Sequence, residues 1–333
     1  MEPAIWAELL EDARWAPSPH NVQPWRLRPQ SETRAELLYD PARLLPYTDP
    51  ESAFMTLTLG LFVECLAVAA AARGLALDAS FSAAPAEPGS GAPRAYATVA
   101  LEPGGRDELD RELLLRRRTS RLPFDGRRLD AVVLAELRAL AAAWGHTLEA
   151  TSEPRLVEET LALNRETLFD DMRDERARAE VGAWLRFSAA EAARRRDGFS
   201  PAALGFPGWL LRLFFERHRL LEAPLVRGAV RRLYARTTRG TRTVAWLTGP
   251  FETPEDWVAA GRMLARLWLT VTRAGAHLHP FGSIVTNERA NARLHELVGL
   301  DRSRGTLWLV MRIGYGAEPA RSHRLETGEL LVG

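Results

Sequence analysis

A ten-residue segment near the N-terminus, residues 16–25, constrains the backbone more than any other part of the chain. Its sequence is APSPHNVQPW. Pro17 and Pro24 each disfavour helical geometry at the residue before them, so the segment must be irregular between a short predicted helix and a strand that begins at Trp25. Four of its side chains can donate or accept hydrogen bonds: Ser18, His20, Asn21 and Gln23. The sequence therefore predicts a stiff loop that presents a dense set of polar groups.

Such a loop suits a flat heteroaromatic ligand. Amide side chains offer both a donor and an acceptor, and the isoalloxazine ring of a flavin has an edge with mixed donors and acceptors. The composition of the loop thus favours a flavin-type ligand.

The loop resembles the Pro-Ser-x-x-Asn-x-Gln-Pro-Trp motif of the nitroreductase family of FMN-dependent oxidoreductases. More narrowly, the chain is similar to the long, single-chain, Acg-like branch of that family, with the weakest similarity from about 150 to 245. The resemblance implies an α+β, nitroreductase-like fold with helices around mainly antiparallel sheets, and FMN as cofactor. It places four loop residues at the edge of the flavin ring: Ser18, His20, Asn21 and Gln23.

An arginine-rich run about 100 residues later reads RRRTSRLPF. The FMN phosphate carries about two negative charges, which arginine forks bind through two parallel hydrogen bonds. By resemblance to the family's Arg-x-Ser-x-Arg phosphate motif, Arg117, Thr119 and Arg121 take the phosphate roles, and Arg118 is the alternative to either arginine. Threonine in place of serine and the added Pro123 depart from the family pattern. Taken alone, the run would be a basic helix end.

Two C-terminal segments complete the predicted site. The sequence PFGS contributes Phe281, Gly282 and Ser283 and is similar to the family's Pro-Ile-Gly-Gly loop, whose backbone N–H groups approach flavin N5. Gly282 permits this approach because it has no Cβ, whereas Ser283 stands where a second glycine is common and narrows the access. In the tail, the resemblance assigns a phosphate contact to Arg324, with Arg321 as the alternative.

The order of these segments predicts a fused pseudo-dimer. In ordinary nitroreductases the phosphate motif comes first, and each FMN site borrows the ring-edge motif from a partner subunit. Here the order is reversed and neither motif is repeated. We therefore expect residues 1–105 to form a half that supplies the ring-edge loop, and residues 106–333 to form a half that supplies the phosphate and N5 contacts. One FMN per chain and a monomer follow, since no symmetric partner is needed.

Hydrophobic patterns predict the main elements. A helix over about 51–73 should be buried on several sides, residues 155–197 should be helical and solvated, and a buried strand should cover 306–315. A second long helix over 254–274 carries an apolar stripe typical of core packing. Regular βαβ units and a G-x-G-x-x-G motif are both missing from the sequence, which argues against a Rossmann fold.

Composition excludes several classes of site. The 44 basic and 43 acidic residues nearly balance, so no global charge favours nucleic acid. Every basic residue is arginine, which excludes a Schiff-base lysine. The single Cys65 excludes an internal disulfide and a cysteine metal cluster, and the seven histidines show no metal-ligand spacing. We predict no metal site.

The N-terminus lacks a signal-peptide pattern and no apolar stretch is long enough to span a bilayer, so we expect a cytoplasmic protein without a membrane span. Residues 199–242 are apolar and then rich in arginine. The favoured interpretation is helices that cover the core with arginines facing water. A lid over the flavin and an interfacial membrane helix are the alternatives.

Three functional hypotheses follow. The first is an oxidoreductase that passes hydride from NAD(P)H through FMN to a nitroaromatic, a quinone or a similar acceptor. The second is a flavin storage or sequestration protein whose site is covered and largely inactive. The third, a protein that has lost its flavin, conflicts with the retention of all four segments. The sequence identifies no general acid or base, and only His20 and Arg14 are candidates for positive charge near flavin N1 and O2.

Overall fold

Helices and strands alternate irregularly in a computed structural model that describes residues 4–217, 223–300 and 305–333. The helices are α1 (Ala4–Ala13), α2 (Ala53–Ala71), α3 (Arg111–Arg116), α4 (Ala131–Ala143), α5 (Pro154–Asp171), α6 (Glu175–Ala183), α7 (Ala189–Arg195), α8 (Pro201–Leu204), α9 (Gly208–Glu216), α10 (Pro224–Thr237), α11 (Pro254–Arg273), α12 (Gly282–Thr286), α13 (Glu288–Val298) and α14 (Thr327–Leu330). The strands are β1 (Trp25–Pro29), β2 (Arg34–Tyr39), β3 (Leu75–Phe81), β4 (Arg94–Pro103), β5 (Thr147–Thr151), β6 (Thr243–Gly249), β7 (His277–Pro280) and β8 (Thr306–Gly314). Short 3-10 helices cover Pro19–Asn21 and Pro41–Arg43.

The chain divides into two compact units that are interleaved in sequence. The first unit comprises Met1–Arg117, Glu252–Thr270 and His323–Gly333, and the second comprises Arg118–Phe251 and Val271–Ser322. The sequence predicts instead a single boundary after residue 105, between two nitroreductase-like halves. That division stays a prediction.

The two sheets repeat one topology. The first has the strand order β1-β2-β4-β3 and the second β5-β6-β8-β7, and every neighbouring pair is antiparallel. In both, a long helix links the second strand to the third, α2 in one case and α11 in the other. The predicted α+β class with helices and antiparallel sheets is confirmed.

The connection between β5 and β6 is much longer than the corresponding connection between β1 and β2. It contains α5 to α10 and includes the predicted lid, 199–242, of which residues 218–222 lie outside the described residues. The role of this segment as a lid stays a prediction.

The segment 155–197, which was predicted to be helical, consists of three helices separated by short breaks that the sequence analysis did not locate. Asp174 caps α6 by accepting hydrogen bonds from the N–H groups of Arg176 and Ala177, and Ser188 caps α7 by accepting from Glu191. Such side chains satisfy the unpaired N–H groups of a new helix start. The charge pattern is similar on both sides of each cap and therefore concealed the breaks.

Helix α2 is buried along most of its length, as predicted. The expectation that no apolar stretch is long enough to span a bilayer is wrong for α2, which among the described residues is the one helix of sufficient length and hydropathy. Because 89% of that window is buried inside the structure, its apolar character fits a core helix. Its backbone lies directly against α11: a Cβ on Gly60 would be 2.3 Å from the Val258 carbonyl oxygen, and one on Gly261 would be 2.0 Å from the Leu57 oxygen. Glycine at both positions permits this approach.

A charged cluster in the first unit accompanies the α2–α11 contact. The buried carboxylate of Glu64 accepts hydrogen bonds from Arg262 Nε at 2.8 Å and Arg266 Nη1 at 2.9 Å. Arg266 also forms a two-pronged pair with Asp107, at 2.8 and 2.9 Å. Because each buried charge has an opposite partner, the desolvation cost of the cluster is offset.

Cys65 lies on α2 and is 1% exposed. Burial raises the pKa of its thiol to about 12, and the positive charge of Arg117 lowers that pKa only in part. The reactive thiolate is therefore depleted. We expect no reaction of the native protein with a disulfide thiol reagent at pH 8, and reaction of one thiol per chain after denaturation. Rapid labelling of the folded protein would contradict this packing.

The second unit is built on β6 and β8. All seven residues of β6 are buried, as are eight of the nine in β8, which confirms the predicted buried final strand. One side of this sheet packs against α5, α12 and α13 through an apolar cluster that includes Leu161, Trp246, Phe281 and Leu294. The start of α12 is thereby fixed on a rigid sheet.

Candidate functional site

The polar loop at residues 18–23 has an unusual backbone. Three of its non-glycine residues have positive φ: His20 at 48°, Asn21 at 57° and Gln23 at 52°. Left-handed geometry costs most L-residues about 1–2 kcal/mol each, and asparagine visits it more readily. Residues held in such conformations cluster at ligand clamps and active sites. The loop therefore has the strain expected of a preorganised site.

Hydrogen bonds to the tail hold this loop in place. Gln23 Oε1 accepts from the Leu325 N–H at 2.8 Å, and Asn21 Nδ2 donates to the His323 oxygen at 3.1 Å. Ser18 Oγ accepts from the Gln23 N–H at 3.0 Å. Gln23 is fully buried, and the bonds of Gln23 and Ser18 support the loop backbone. Their predicted contacts with a flavin ring stay predictions, as do those of His20 and Asn21.

Two predicted phosphate residues lie beside the loop in the first unit. Arg117 Nη2 donates to the Trp15 oxygen at 2.9 Å, and Arg324 Nη2 donates to the Ala16 oxygen at 3.1 Å. Both arginines are buried. Their guanidinium groups lie over indole rings, Arg117 over Trp268 at 4.9 Å and Arg324 over Trp15 at 5.7 Å. The structure thus brings Arg117, Arg324 and the start of the loop together.

The remaining residues of the arginine-rich run belong to the second unit. Thr119 forms a parallel bridge with Leu278 of β7, and the Ser120 N–H donates to the Leu278 oxygen at 3.1 Å. Arg118 forms an ion pair with Glu318 at 3.6 Å. This pairing makes Arg118 a weaker candidate for the phosphate than Arg121.

Arg121 is the strongest anion-binding candidate of the second unit. Its guanidinium lies 4.9 Å from the centre of the Phe199 ring. Burial lowers the pKa of Arg121 to about 10, partly opposed by Tyr234. Among the described residues no carboxylate forms an ion pair with Arg121. Arg121 is half-buried, and a partly desolvated cation without a counter-charge is costly; a bound anion would remove that cost.

Arg312 is a buried residue of the candidate site that sequence reasoning missed. It is fully buried on β8 and donates to the backbone oxygens of Ser120 at 3.0 Å and Leu122 at 2.9 Å, the two neighbours of Arg121. It also donates to His279 Nδ1 at 3.3 Å. Arg312 therefore fixes the backbone on both sides of Arg121, within the run that is predicted to bind the phosphate. The sequence did hold a signal for Arg312, because it is the one charged residue in an otherwise apolar, buried strand.

His279 should make stability depend on pH. Burial, and then the charge of Arg312, lower its pKa well below 6.5, so the folded state holds a neutral ring that accepts from Arg312. Below about pH 6.5 the unfolded chain binds a proton that the folded chain does not, and the free energy of unfolding falls by up to about 1.4 kcal/mol per pH unit. We expect His279→Gln to reduce this slope in denaturant titrations between pH 6.5 and 5. An unchanged slope would assign it to other groups.

The loop predicted to face flavin N5 begins α12 on the rigid sheet. A Cβ placed on Gly282 would meet no atom within 4 Å, so its backbone is open to a ligand. The side chain of Phe281 instead packs in the core, and its N–H donates to the Val310 oxygen at 2.8 Å.

Ser283 is linked to α5. Its side chain hydrogen-bonds to Asp171, which also accepts from Asn287 Nδ2 at 2.9 Å. Burial raises the pKa of Asp171. These bonds fix the Ser283 hydroxyl toward the protein rather than leaving it mobile above the loop.

The similar proteins found by sequence and by structure include nitroreductases in both cases. The chain matches no protein-family model. It is 26% identical over 310 residues to the probable NAD(P)H nitroreductase PigM of Serratia sp., covering 86% of this chain and 82% of that protein.

Solved structures give weaker similarities. A nitroreductase with bound FMN from Bacteroides fragilis matches 63% of this chain and 89% of its own, at 14% identity and a TM-score of 0.34. The FMN-dependent nitroreductase NfnB from Mycobacterium smegmatis in complex with NADPH matches 62% and 86%, at 17% identity and a TM-score of 0.33. Because these TM-scores are below 0.5, the structural matches carry no argument about function.

Proposed function

We propose that this chain is an FMN-dependent oxidoreductase of the nitroreductase family that uses NAD(P)H. The observation that carries the proposal is the loop at 18–23. It matches the family's ring-edge motif and is held in a strained conformation, anchored at both Asn21 and Gln23. The sequence match to a probable NAD(P)H nitroreductase over most of both chains supports the same assignment.

Two groups of residues fit parts of FMN. In the first unit, His20 and Asn21 lie on the preorganised loop and offer donors and acceptors for the ring edge. In the second unit, Arg121 offers a half-buried positive charge for the phosphate, and Thr119 of the same run offers a hydroxyl. The open backbone at Gly282 fits the close approach that a flat ring requires. Each group, taken within its own unit, suits one part of a flat, anionic cofactor.

Bound FMN would supply a carrier that accepts hydride from NAD(P)H and passes electrons to an acceptor. The protein's contribution is binding and orientation: Arg121 neutralises the phosphate, and Gln23 and Ser18 hold the loop backbone. The acceptor we propose is a nitroaromatic, a quinone or a similar flat molecule.

We further propose that one chain is sufficient to bind one FMN, as a monomer in the cytoplasm. The repeated strand order of the two sheets, each with a long helix between its second and third strands, supports two fused halves. Size measurement of the purified protein together with its FMN content tests this. A monomer carrying about one FMN is expected, and flavin bound only by dimers would contradict it.

The visible spectrum tests the function directly. The protein is purified, reconstituted with FMN, and mixed with NADPH or NADH without oxygen. Loss of the flavin absorbance, and its return on addition of a quinone or nitroaromatic, is the expected result. A yellow protein that keeps its absorbance would favour the storage alternative instead. A protein that takes up no FMN would contradict both.

A further inference from the structure

Helices α9 and α10 of the second unit expose large apolar side chains to solvent. Trp209 is 69% exposed and Leu225 is 87% exposed, and Leu213 and Val226 are exposed to 39% and 38%. Isolated exposed hydrophobic residues are ordinary, but a concentration of them marks an interaction site. These four are most of the exposed large hydrophobic residues found in the described parts of the chain.

Helical spacing places these side chains on defined faces. Trp209 and Leu213 are four residues apart and share the outer face of α9, whereas Leu211 is buried. In α10, Leu225 begins a face that continues through Ala229 at the next turn. No residue of α10 is fully buried, so this helix is only partly packed against the protein.

The same two helices and their flanks carry a dense positive charge. In sequence, residues 205–242 contain two acidic residues, Glu216 and Glu222, and Glu216 pairs with Arg212 at 3.7 Å. They contain nine arginines, of which eight lie in the described residues: Arg212, Arg217, Arg227, Arg231, Arg232, Arg236, Arg239 and Arg242. The whole chain is nearly neutral, so the excess of positive charge is confined to this segment. This positive charge complements an anionic surface.

We propose that α9 and α10 bind the surface of an anionic lipid bilayer and lie in its interface without crossing it. Trp209, Leu213 and Leu225 would enter the boundary between headgroups and acyl chains, and the neighbouring arginines would contact lipid phosphates. A fluid bilayer accepts separate apolar side chains without requiring a matched pocket. The proposal does not depend on flavin binding.

Charge and apolar character distinguish this partner from two others. A second copy of the chain docked through the same face would oppose two sets of arginines, and like charges across an interface cost several kcal/mol. The phosphates of a nucleic acid would bind the arginines, but they would not bury exposed aliphatic side chains such as Leu225. An anionic bilayer can both bind the arginines and bury the apolar side chains.

Vesicle flotation tests the proposal with the full chain. We expect binding to vesicles that contain phosphatidylglycerol, binding at least about tenfold weaker to pure phosphatidylcholine, and release as salt is raised, because surface potentials are screened. No flotation with anionic vesicles at low salt would overturn the proposal. Binding of DNA or RNA competing fully with the vesicles at equal phosphate concentration would also overturn it.

Paired variants separate the two contributions. Arg232→Gln with Arg236→Gln should weaken vesicle binding about thirtyfold. Trp209→Ser with Leu225→Ser should weaken it at least about tenfold. Val132→Ser on α4, where the side chain is 80% exposed, is the matched control and should bind like wild type. Thermal unfolding confirms that each variant is folded.

A common loss in the control and the paired variants would overturn the assignment to α9 and α10. A dimer of wild-type protein that Trp209→Ser with Leu225→Ser converts to monomer would assign the face to self-association instead and would likewise overturn it.

Discussion

Arg121→Ala is expected to weaken FMN binding by about tenfold to a hundredfold without destabilising the flavin-free protein. Hydrogen bonds to charged groups contribute about 1.5–3 kcal/mol, and Arg121 is the proposed phosphate ligand of the second unit. In the flavin-free state the same half-buried guanidinium is repelled by the charge of Arg312, so its removal relieves repulsion. The free energy of unfolding should stay the same or rise.

Fluorescence titration with FMN measures the affinity, and chemical denaturation of the apoprotein measures the stability. Arg155→Ala is a matched control, because Arg155 is an exposed arginine on α5 paired with Glu159; its FMN affinity should equal that of wild type. Arg118→Ala tests the register of the motif and should have the smaller effect, since Arg118 is paired with Glu318. Equal FMN affinity of Arg121→Ala and wild type would show that the phosphate is bound elsewhere.

Gly60→Ala is expected to destabilise the first unit by about 1–2 kcal/mol. Alanine alone would favour a helix by about 1 kcal/mol over glycine. However, its Cβ would lie 2.3 Å from the Val258 oxygen, and overpacking of a well-packed core costs about 1–3 kcal/mol and occasionally more. The overlap is with backbone, which cannot move aside as a side chain can, so the packing cost outweighs the helix propensity.

Urea denaturation of the flavin-free protein checks this expectation. Gly328→Ala on α14 is the control, because a Cβ at Gly328 meets no atom within 4 Å, and its stability should lie within about 0.5 kcal/mol of wild type. Gly261→Ala tests the same contact from the other helix and should resemble Gly60→Ala. Wild-type stability of both would show that α2 and α11 are not in direct backbone contact.

Much of the fold was predictable because its signals are local. Prolines exclude a helix across residues 16–25, and the apolar character of α2 and β8 indicates that they are buried. The breaks at Asp174 and Ser188 were missed because capping side chains resemble any other polar residue in a charged segment. The contact at Gly60 was missed because a glycine inside a helix does not reveal what lies opposite to it.

The sequence identified most residues of the candidate site, but it did not predict which hydrogen bonds those residues form. The motif identified Asn21 and Gln23, but their positive φ angles depend on partners at His323 and Leu325, about 300 residues away. The arginine-rich run looked like one clamp, whereas Arg117 bonds within the first unit and Thr119 within the second. Arg312 was missed because its role is defined by carbonyl groups that any sequence would supply.

The bond between Gln23 and Leu325 has a consequence for biosynthesis. These residues are separated by 302 positions, so a ribosome must make the whole second unit before the early loop can acquire its native partners. Until then the strained backbone at His20 and Gln23 lacks the tail contacts that hold it. A nascent chain paused before residue 323 should therefore leave this loop accessible to proteases, while the strands of the first sheet, which pair over short distances in sequence, can already be protected.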